Sequence, residues 1–586
     1  MNNNFKTFIR LIKLIYNESR VTFCLILFFS ILFKLLNIYA TGFIKKILDT
    51  AIIAKDIPLL IKYTIFLAII YLITAISSQL NVVLSIPLSQ KVILNLRKKA
   101  MNKLVNLPIR YFDTNEHGKI MSNFTNDIEV INDFVEYSFF YNATAILEII
   151  ATILFMFYLS PILATVVIVF LVICLLITYI FGKYSIHLYD TQQSGISDIN
   201  AYIEEMVKGH SIVKLFNYEK RNFKMFNKIN NNYLKSSVKA NIFSNSIFPI
   251  IATINYVQYV TIAIIGTYAI YSNISNVTIG TIGSFLILCR TLSVPIFSLA
   301  FEITFITRAI AGAKRVFNAI DQNPEIDEGR VYLKDNKWIL EDGTEVECRS
   351  NIEFRNVNFS YDPGKKILKN INMYAKNGQK VALVGPTGSG KTTITNLITR
   401  FYELDSGQIL LDGIDIRRIN KYDLRKNITI VLQDSVLFTD TILNNIRYCD
   451  DSIKREDVIK ASIEVGADHF ISQLDKGYDT MLDSSVESLS QGQKQLICLA
   501  RAKLRNTPIL ILDEATSNID TLTEQIVGHG MDKLMHGKTV FVIAHRLSTI
   551  INSDVIMVIE NGEIIERGNH QDLLEKNGVY AKLYRG

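Results

Sequence analysis

The chain has 586 residues, more than one ordinary domain, and 49% of them are hydrophobic, which indicates a membrane-embedded part. The net charge of +7 is small for this length and the basic residues are spread along the chain, so no nucleic-acid partner is indicated and the lipid bilayer is favoured. The six cysteines form no C-x-x-C spacing, which argues against a zinc site and against a disulfide framework.

The N-terminal stretch MNNNFKTFIRLIKLIYNESR combines apolar and basic residues. It has no small-residue cleavage site before the first apolar run, unlike a removable signal peptide. The pattern predicts a helix lying on the membrane surface.

Six apolar runs before residue 310 each come near the ~20 residues that cross a bilayer. The connections after the second and fourth runs, roughly 88–136 and 186–244, are long and basic, whereas the other connections are short. The positive-inside rule then places both long loops and both termini in the cytosol of a multi-pass cell-membrane protein. The six runs lie at 20–43, 60–87, 137–159, 161–185, 245–272 and 279–306.

Four charged residues lie within these runs: Lys34, Glu148, Arg290 and Glu302. A charge at the bilayer centre costs roughly 2.5 to 3.5 kcal/mol on insertion scales, so such residues usually face a cavity or pair with one another. Two interpretations stay open, namely contacts to a transported substrate, and internal ion pairs or side chains that reach the membrane surface.

The composition changes at about residue 322. A polar linker, 322–350, holds the only tryptophan, Trp338. Beyond it, short β-rich runs such as KVALVG and PILILD alternate with helical patterns, which predicts a largely parallel sheet. The predicted organisation is therefore a membrane domain at 1–321, the linker, and an α/β domain at 351–586, with one copy of each.

The stretch LVGPTGSGKTT directly follows an apolar strand and precedes a helical run. Glycines there turn backbone N–H groups toward an anion, and the following helix adds its positive dipole. Lys391 supplies a charge for the β- and γ-phosphates, and the Thr392 hydroxyl can ligate Mg²⁺. The predicted nucleotide-binding residues are Gly385, Pro386, Thr387, Gly388, Ser389, Gly390, Lys391, Thr392 and Thr393.

Two further motifs fit a nucleotide site. A second apolar strand ends in Asp513 and Glu514, where the aspartate can hold Mg²⁺ through water and the glutamate can polarise an attacking water. The stretch LSQGQ opens a helix with Ser490, Gly492 and Gln493, which makes a second anion site. Because the chain already has a phosphate loop, this second site is explained if it faces the nucleotide of another subunit.

Together these motifs resemble the nucleotide-binding domain of ATP-binding cassette (ABC) transporters over residues 350–586. Six spans ahead of one such domain resemble an exporter half-transporter of the multidrug and lipid exporter kind, and the likeness covers nearly the whole chain. The resemblance implies a six-helix α transmembrane domain followed by an α/β P-loop NTPase domain. It also implies ATP and Mg²⁺ as cofactors, ATP hydrolysis coupled to transport, and a hydrophobic or amphipathic substrate.

The resemblance also implies roles for single residues. Tyr361 matches the aromatic residue that stacks on adenine, and Gln433 matches the glutamine that touches Mg²⁺ and the attacking water. Asp520 matches the aspartate that links the two nucleotide sites across a dimer, and His545 matches the histidine that holds the γ-phosphate. Glu514, His545 and Gln433 are thus the predicted catalytic residues, and Thr392, Gln433 and Asp513 the predicted metal ligands.

The two long loops resemble exporter segments that carry short coupling helices, one near Thr114–Ser122 and one within 202–220. The resemblance implies that the second helix docks on the nucleotide domain of a partner chain. In such a dimer, two ATP bound between each phosphate loop and the partner's LSQGQ would drive alternating access.

Two features depart from the family pattern: Gln491 replaces a commoner glycine, and the segment 483–488 lacks the usual Glu-Gly-Gly run. Both affect the half-site offered to the partner, so a homodimer and a heterodimer both stay open. The alternatives are a soluble ABC ATPase acting on DNA or ribosomes and an importer subunit. A peptide exporter with a leader-cutting domain is disfavoured, because only about twenty residues precede the first span.

Overall fold

The computed structural model describes residues 3–272, 274, 277–433, 435–482, 489–513, 521–543 and 550–585. These residues fall into two compact units. The membrane unit comprises Met1–Val105 and His117–Gln322, and the nucleotide unit comprises Asn106–Glu116 and Asn323–Gly586. The first long loop therefore contributes a short segment to the nucleotide unit.

The described residues up to Ile320 form helices joined by short connections. Two π-helical turns, Ile47–Ile52 and Phe134–Ser138, interrupt the α-helices. The helices are α1 (Asn3–Glu18), α2 (Arg20–Lys46), α3 (Ile57–Val105), α4 (Ile109–Thr114), α5 (His117–Phe124), α6 (Asn126–Asp133), α7 (Phe139–Leu159), α8 (Pro161–Lys208), α9 (His210–Leu215), α10 (Glu219–Tyr271) and α11 (Ile279–Ile320).

Six helical segments among the described residues are long and apolar enough to cross a membrane, which confirms the predicted number. Helices α3, α8 and α10 have 49, 48 and 53 residues. Since about 20 residues cross a bilayer, these helices continue well beyond it. The basic stretches predicted as long loops are therefore largely helical extensions of the spans.

Helix α1 packs on the membrane unit along one face. Leu11 and Ile15 are fully buried in an apolar cluster with residues of α2, α3, α6, α7 and α11. Phe5 and Ile9 stay about half exposed on the other face. Arg10 donates two hydrogen bonds to the carboxylate of Asp321, so the N-terminal helix is tied to the end of α11.

The nucleotide unit is built on a six-stranded sheet with the order β15-β14-β6-β13-β12-β9, in which only the β14–β15 pair is antiparallel. A four-stranded antiparallel sheet, β5-β4-β7-β8, accompanies it. The strands are β1 (Tyr332–Lys334), β2 (Lys337–Ile339), β3 (Glu345–Glu347), β4 (Ile352–Ser360), β5 (Lys366–Ala375), β6 (Lys380–Val384), β7 (Ser406–Leu411), β8 (Ile414–Asp415), β9 (Ile428–Val431), β10 (Asp440–Thr441), β11 (Met481–Leu482), β12 (Ile509–Asp513), β13 (Thr539–Ile543), β14 (Val555–Glu560) and β15 (Glu563–Gly568).

Helices cover the main sheet because both of its faces are apolar. Val381 and Leu383 of β6 lie in one buried cluster, and Ala382 and Val384 lie in the other. Burial on both faces explains why the strands read as continuous apolar runs in the sequence. The helices are α12 (Lys391–Ile398), α13 (Lys421–Lys426), α14 (Ile442–Ile446), α15 (Arg455–Val465), α16 (Asp468–Ile471), α17 (Gln491–Arg505), α18 (Thr521–Met535), α19 (His570–Glu575) and α20 (Val579–Arg585).

Much of the predicted linker is folded into the nucleotide unit. Strands β1, β2 and β3 form a small antiparallel sheet around Trp338, which is fully buried. Trp338 Nε1 donates to Asp412 Oδ2 at 3.1 Å, and the same carboxylate accepts the backbone N–H groups of residues 349–351. One carboxylate therefore holds the central strand of the added sheet and the segment that follows its last strand.

Ion pairs and hydrogen bonds hold the start of the linker in place. Glu325 accepts from Arg425 Nη1 at 2.8 Å and from Lys421 Nζ at 3.2 Å. Asp327 accepts the backbone N–H of Lys421 at 2.8 Å and lies 3.5 Å from Arg400, which is 5% exposed. Residues 325–327 are thus fixed to the region that follows helix α12.

Candidate nucleotide-binding site

The sheet brings the predicted nucleotide-binding segments to one edge. Strands β9, β12, β13 and β6 are parallel neighbours, so their carboxyl ends meet at the same side. The register pairs Asp513 with Ile543, and Ile543 with Leu383, just before the phosphate loop. Ligands of open α/β sheets bind at this edge.

The phosphate loop, 385–390, has a backbone that requires glycine at defined places. Gly385 has a φ of 154°, and a Cβ added there would lie 2.1 Å from the carbonyl oxygen of Ile559. Gly390 is left-handed with a φ of 109° and directly precedes α12. These conformations bring the chain into α12 by a turn that a larger residue would strain.

Lys391, the first residue of α12, is buried at 6% exposure. Its Nζ donates to the carbonyl oxygens of Gly385 and Pro386 at 2.8 and 2.9 Å. Burial lowers the pKa of Lys391, and the nearby Asp513 carboxylate opposes that shift. The lysine therefore rests folded against the loop, where a phosphate group would be the stronger partner for its charge.

Ser389 fits a nucleotide as well. Its Oγ is buried and makes no hydrogen bond within the described residues. A buried hydroxyl without a partner is costly, and phosphate oxygens are acceptors suited to it. The loop residues thus fit a bound polyphosphate.

The predicted metal ligands lie around this edge. Thr392 is exposed at the start of α12, and Asp513 is partly buried at the end of β12. Gln433 is exposed two residues after β9. The parallel strands thus bring Asp513 and Gln433 to the edge that carries the phosphate loop.

Tyr361 lies beside the helix that carries the phosphate loop. Its hydroxyl donates to Thr393 Oγ1 at 3.2 Å and accepts from Asn396 Nδ2 at 3.3 Å. Its ring meets Phe359 and Tyr402 edge to face, each at a centroid distance of 4.8 Å. The predicted adenine-stacking residue is therefore fixed to α12 at its tip and to aromatic rings along its sides.

The LSQGQ segment begins helix α17. Ser490 is the N-cap, and its Oγ accepts the backbone N–H of Gln493 at 3.2 Å while Gln493 Oε1 accepts the N–H of Ser490 at 2.9 Å. Ser490 is exposed and Gly492 is buried. The reciprocal capping holds this helix start in a defined conformation at the surface of the described chain.

Three predicted residues, Glu514, Asp520 and His545, lie outside the described residues. So does the segment 483–488, on which one of the two departures from the family pattern rests. In sequence, Glu514 follows β12 directly and His545 comes two residues after β13. Their roles stay predictions.

Sequence reasoning missed a contact between the first long loop and this site. The coupling helix was expected near Thr114–Ser122, but the helix that joins the nucleotide unit is α4, Ile109–Thr114. It begins after Pro108, whose extended backbone precedes the helix, and ends before Asn115. Helix α5 belongs to the membrane unit instead.

Two side chains of the α4 segment reach the surroundings of Tyr361. Asp113 accepts a hydrogen bond from the hydroxyl of Tyr402, and Arg110 Nη2 donates to the carbonyl oxygen of Tyr361 at 3.1 Å. The Tyr402 hydroxyl stays a donor because burial and the Asp113 carboxylate raise its pKa. No local sequence pattern marks this contact, since the two pairs lie 289 and 251 residues apart in sequence.

Comparison with known proteins decides the family. Residues 23–296 match the family described as ABC transporter transmembrane region, and residues 368–517 match the family described as ABC transporter. The uncharacterized ABC transporter ATP-binding protein YfiC of Bacillus subtilis is 37% identical over 559 residues, which cover 95% of this chain and 89% of that protein. The chain belongs to the ABC transporter family.

Other similar proteins are named as a flippase, a transporter and an exporter. The ATP-dependent lipid A-core flippase of Escherichia coli is 33% identical over 93% of this chain and 92% of its own length. The fatty acid ABC transporter ATP-binding/permease protein of Mycobacterium tuberculosis is 34% identical over 91% and 81%. A bacterial Atm1-family ABC exporter with ATP bound has a TM-score of 0.75 and 27% identity, covering 97% of this chain and 98% of that chain.

These findings confirm the predicted fold class and activity. The chain is an ABC exporter half-transporter, a multi-pass membrane protein whose ATP hydrolysis is coupled to transport. The transmembrane region in the same chain excludes the alternative of a soluble ABC ATPase. A half-transporter works with a second chain, and its nucleotide domain binds ATP.

Proposed function

We propose that two copies of this chain, or this chain and a related half-transporter, bind two ATP at their interface and move a lipid-like amphiphile out of the cytosol or across the leaflets. The observation that carries this proposal is that one chain has both a phosphate loop and an exposed helix start, which is capped by Ser490 and Gln493. Neither half forms a complete site alone, so each copy would complete the other. Both termini and the nucleotide unit would be cytosolic.

Each residue of the phosphate-loop edge has a proposed task. Lys391 would exchange its two carbonyl acceptors for the β- and γ-phosphates, and Ser389 would donate its free hydroxyl to them. Thr392, Gln433 and Asp513 would hold Mg²⁺, an ion that neutralises developing charge on the phosphates. Glu514 would polarise the attacking water, and His545 would hold the γ-phosphate.

The substrate class rests on the relatives and on composition. Two relatives are named for lipid A and for fatty acids, both amphiphilic. Amphiphiles enter from the bilayer, which suits a unit whose spans expose apolar residues widely. An importer role has no such support among these relatives.

The catalytic proposal is tested by Glu514→Gln in the chain reconstituted into proteoliposomes. Removing the water-polarising carboxylate should leave ATP binding within about twofold and lower turnover at least ~100-fold. The exposed Glu563→Gln on β15 is the matched control and should hydrolyse ATP normally. If Glu514→Gln retains turnover, Glu514 has no catalytic role.

The shared-site proposal is tested by mixing two inactive variants. Lys391→Met removes the phosphate-binding charge and Ser490→Arg blocks the helix start, so each homodimer should be inactive. A mixed dimer keeps one complete site, formed by the Ser490→Arg chain's phosphate loop and the Lys391→Met chain's helix start, and should recover part of the activity. Absence of recovery, with wild-type activity in the same preparation, would contradict sites shared between copies.

A further inference from the structure

Polar side chains from helices α2, α7 and α11 meet inside the membrane unit. Lys34 of α2 and Glu148 of α7 form an ion pair with an Nζ–Oε2 distance of 2.7 Å, and their side chains are 3% and 11% exposed. Lys34 Nζ also lies 4.5 Å from the centre of the Tyr141 ring. The unit thus satisfies an ammonium group of its own with a carboxylate and an aromatic face.

Glu302 on α11 contacts the start of α7, but unlike Glu148 it has no positively charged partner among the described residues. Ser298, one turn before it, donates to the Tyr141 hydroxyl at 3.1 Å, which places Glu302 beside the same end of α7. The Glu302 carboxylate accepts hydrogen bonds from the Ser138 hydroxyl and from Asn142 Nδ2, the latter at 3.5 Å. Both donors are neutral, and no ion pair joins Glu302 to another described residue.

Asn142 adds an acceptor without a hydrogen-bond partner among the described residues. The residue is 8% exposed, and its Oδ1 is buried without a hydrogen bond within the described chain. Its Nδ2 faces Glu302, and the opposite amide orientation would set two oxygens against each other. Asn142 Oδ1 therefore stays an open acceptor next to an uncompensated carboxylate.

The backbone at this place is irregular. The π-helical turn Phe134–Ser138 ends at the residue whose hydroxyl donates to Glu302, and α7 begins directly after it. Turns of this kind occur mostly as single insertions in α-helices and frequently at functional sites. Ser138 and Asn142, four residues apart, lie on the same helix face and reach the same carboxylate.

We propose that Glu302 and Asn142 bind the ammonium group of a cationic amphiphile during transport. An ammonium supplies the positive charge that Glu302 lacks and N–H donors for both acceptors, as Lys34 does for Glu148. An anionic headgroup would meet like charge at Glu302. This inference rests on the proposed export of amphiphiles and specifies the headgroup.

The test uses the full-length transporter in phosphatidylcholine proteoliposomes. Decylammonium and decyl sulfate, below their micellar concentrations, have the same tail and opposite headgroups. The readout is ATPase stimulation as a function of probe concentration, with the unstimulated rate and the melting temperature recorded for each variant. Glu136→Gln, on the same π-helical turn but outside the Glu302 contacts, is the matched control.

Glu302→Gln keeps the shape and removes the charge. It should raise the half-stimulating concentration of decylammonium roughly tenfold. Asn142→Leu should raise it less, and Glu136→Gln should leave it unchanged. Decyl sulfate should stimulate weakly in wild type and no less in Glu302→Gln.

Two results would overturn the inference. One is an unchanged decylammonium response in a stable, ATP-hydrolysing Glu302→Gln protein, and the other is an equal loss of response to both probes. Failure of the proposed function looks different, because the wild-type protein would then hydrolyse ATP without stimulation by any amphiphile. The unstimulated rate and the wild-type response therefore separate the two failures.

Discussion

The nucleotide unit and the membrane unit carry their polar sites in opposite ways. The phosphate loop is a continuous stretch, and its lysine and serine lie two residues apart in one turn. The cluster around Glu302 and Lys34 draws its members from three helices, up to 268 positions apart in sequence. The phosphate loop is encoded in one short stretch of sequence, whereas the polar cluster of the membrane unit forms only after the helices pack.

The largest effect that separates the two units should come from Lys391→Met. Loss of this charge should lower ATP turnover at least ~100-fold, because it is the cation of the phosphate loop. Binding of a fluorescent amphiphile to the membrane unit should stay within about twofold of wild type, since the amphiphile is not held by this loop. Turnover and probe binding measured on the same preparation check this, with the exposed Lys365→Met as control.

The second-largest effect should come from weakening the hydrogen bond between Tyr402 and Asp113 of the α4 segment. Tyr402→Phe removes the hydroxyl that donates to Asp113 and keeps the ring that packs on Tyr361. A hydrogen bond to a charged group contributes about 1.5–3 kcal/mol, so stimulation of ATPase by substrate should fall roughly tenfold while the unstimulated rate stays near wild type.

The control for this prediction is Tyr422→Phe, which removes an exposed hydroxyl. Asp113→Asn should resemble Tyr402→Phe, since it weakens the same bond from the other side. Because the Tyr402 pKa is raised, the coupling should not change between pH 7 and pH 9. Normal stimulation in both variants would show that the α4 segment couples through other contacts.

A smaller effect, on thermal stability, is expected from a substitution of Asp412, which anchors the small sheet formed by β1, β2 and β3. Asp412→Asn replaces one of the two carboxylate oxygens by an NH2 group, which donates and cannot accept, although Asp412 accepts hydrogen bonds from Trp338 and from three backbone N–H groups. The nucleotide unit should lose about 1–3 kcal/mol of stability and melt several degrees lower. Thermal unfolding of the full chain measures this, with the exposed Asp405→Asn unchanged.

The smallest effect should be a gain in thermal stability when Lys538 is replaced. Its Nζ is buried without a described partner, and burial lowers its pKa to about 8. The unfolded chain, with a lysine pKa near 10.4, binds this proton more tightly, so the fold is penalised below pH 8 and the penalty fades as pH rises toward 10.

Lys538→Met should therefore raise the melting temperature by about 2–4 °C at pH 7 and by less at pH 9.5. The exposed Lys533→Met provides the comparison. An equal gain at both pH values would mean that added apolar packing, and not the buried charge, is responsible.

Local patterns decided what the sequence could predict. The phosphate loop, the six spans and the strand that ends in Asp513 were found because each depends on neighbouring residues. The pairing of Lys34 with Glu148 stayed open, since it depends on helix packing. The bond between Tyr402 and Asp113 and the fold around Trp338 escaped notice, because short strands and distant partners leave no periodic signal.

The anchoring of Glu325 and Asp327 changes what the connection between the units can transmit. Only five residue steps separate Ile320, the end of α11, from Glu325, and each spans at most about 3.6 Å. The connection therefore spans at most about 18 Å. A displacement of the region behind the phosphate loop that exceeded this reach would pull on the last membrane helix of the same chain.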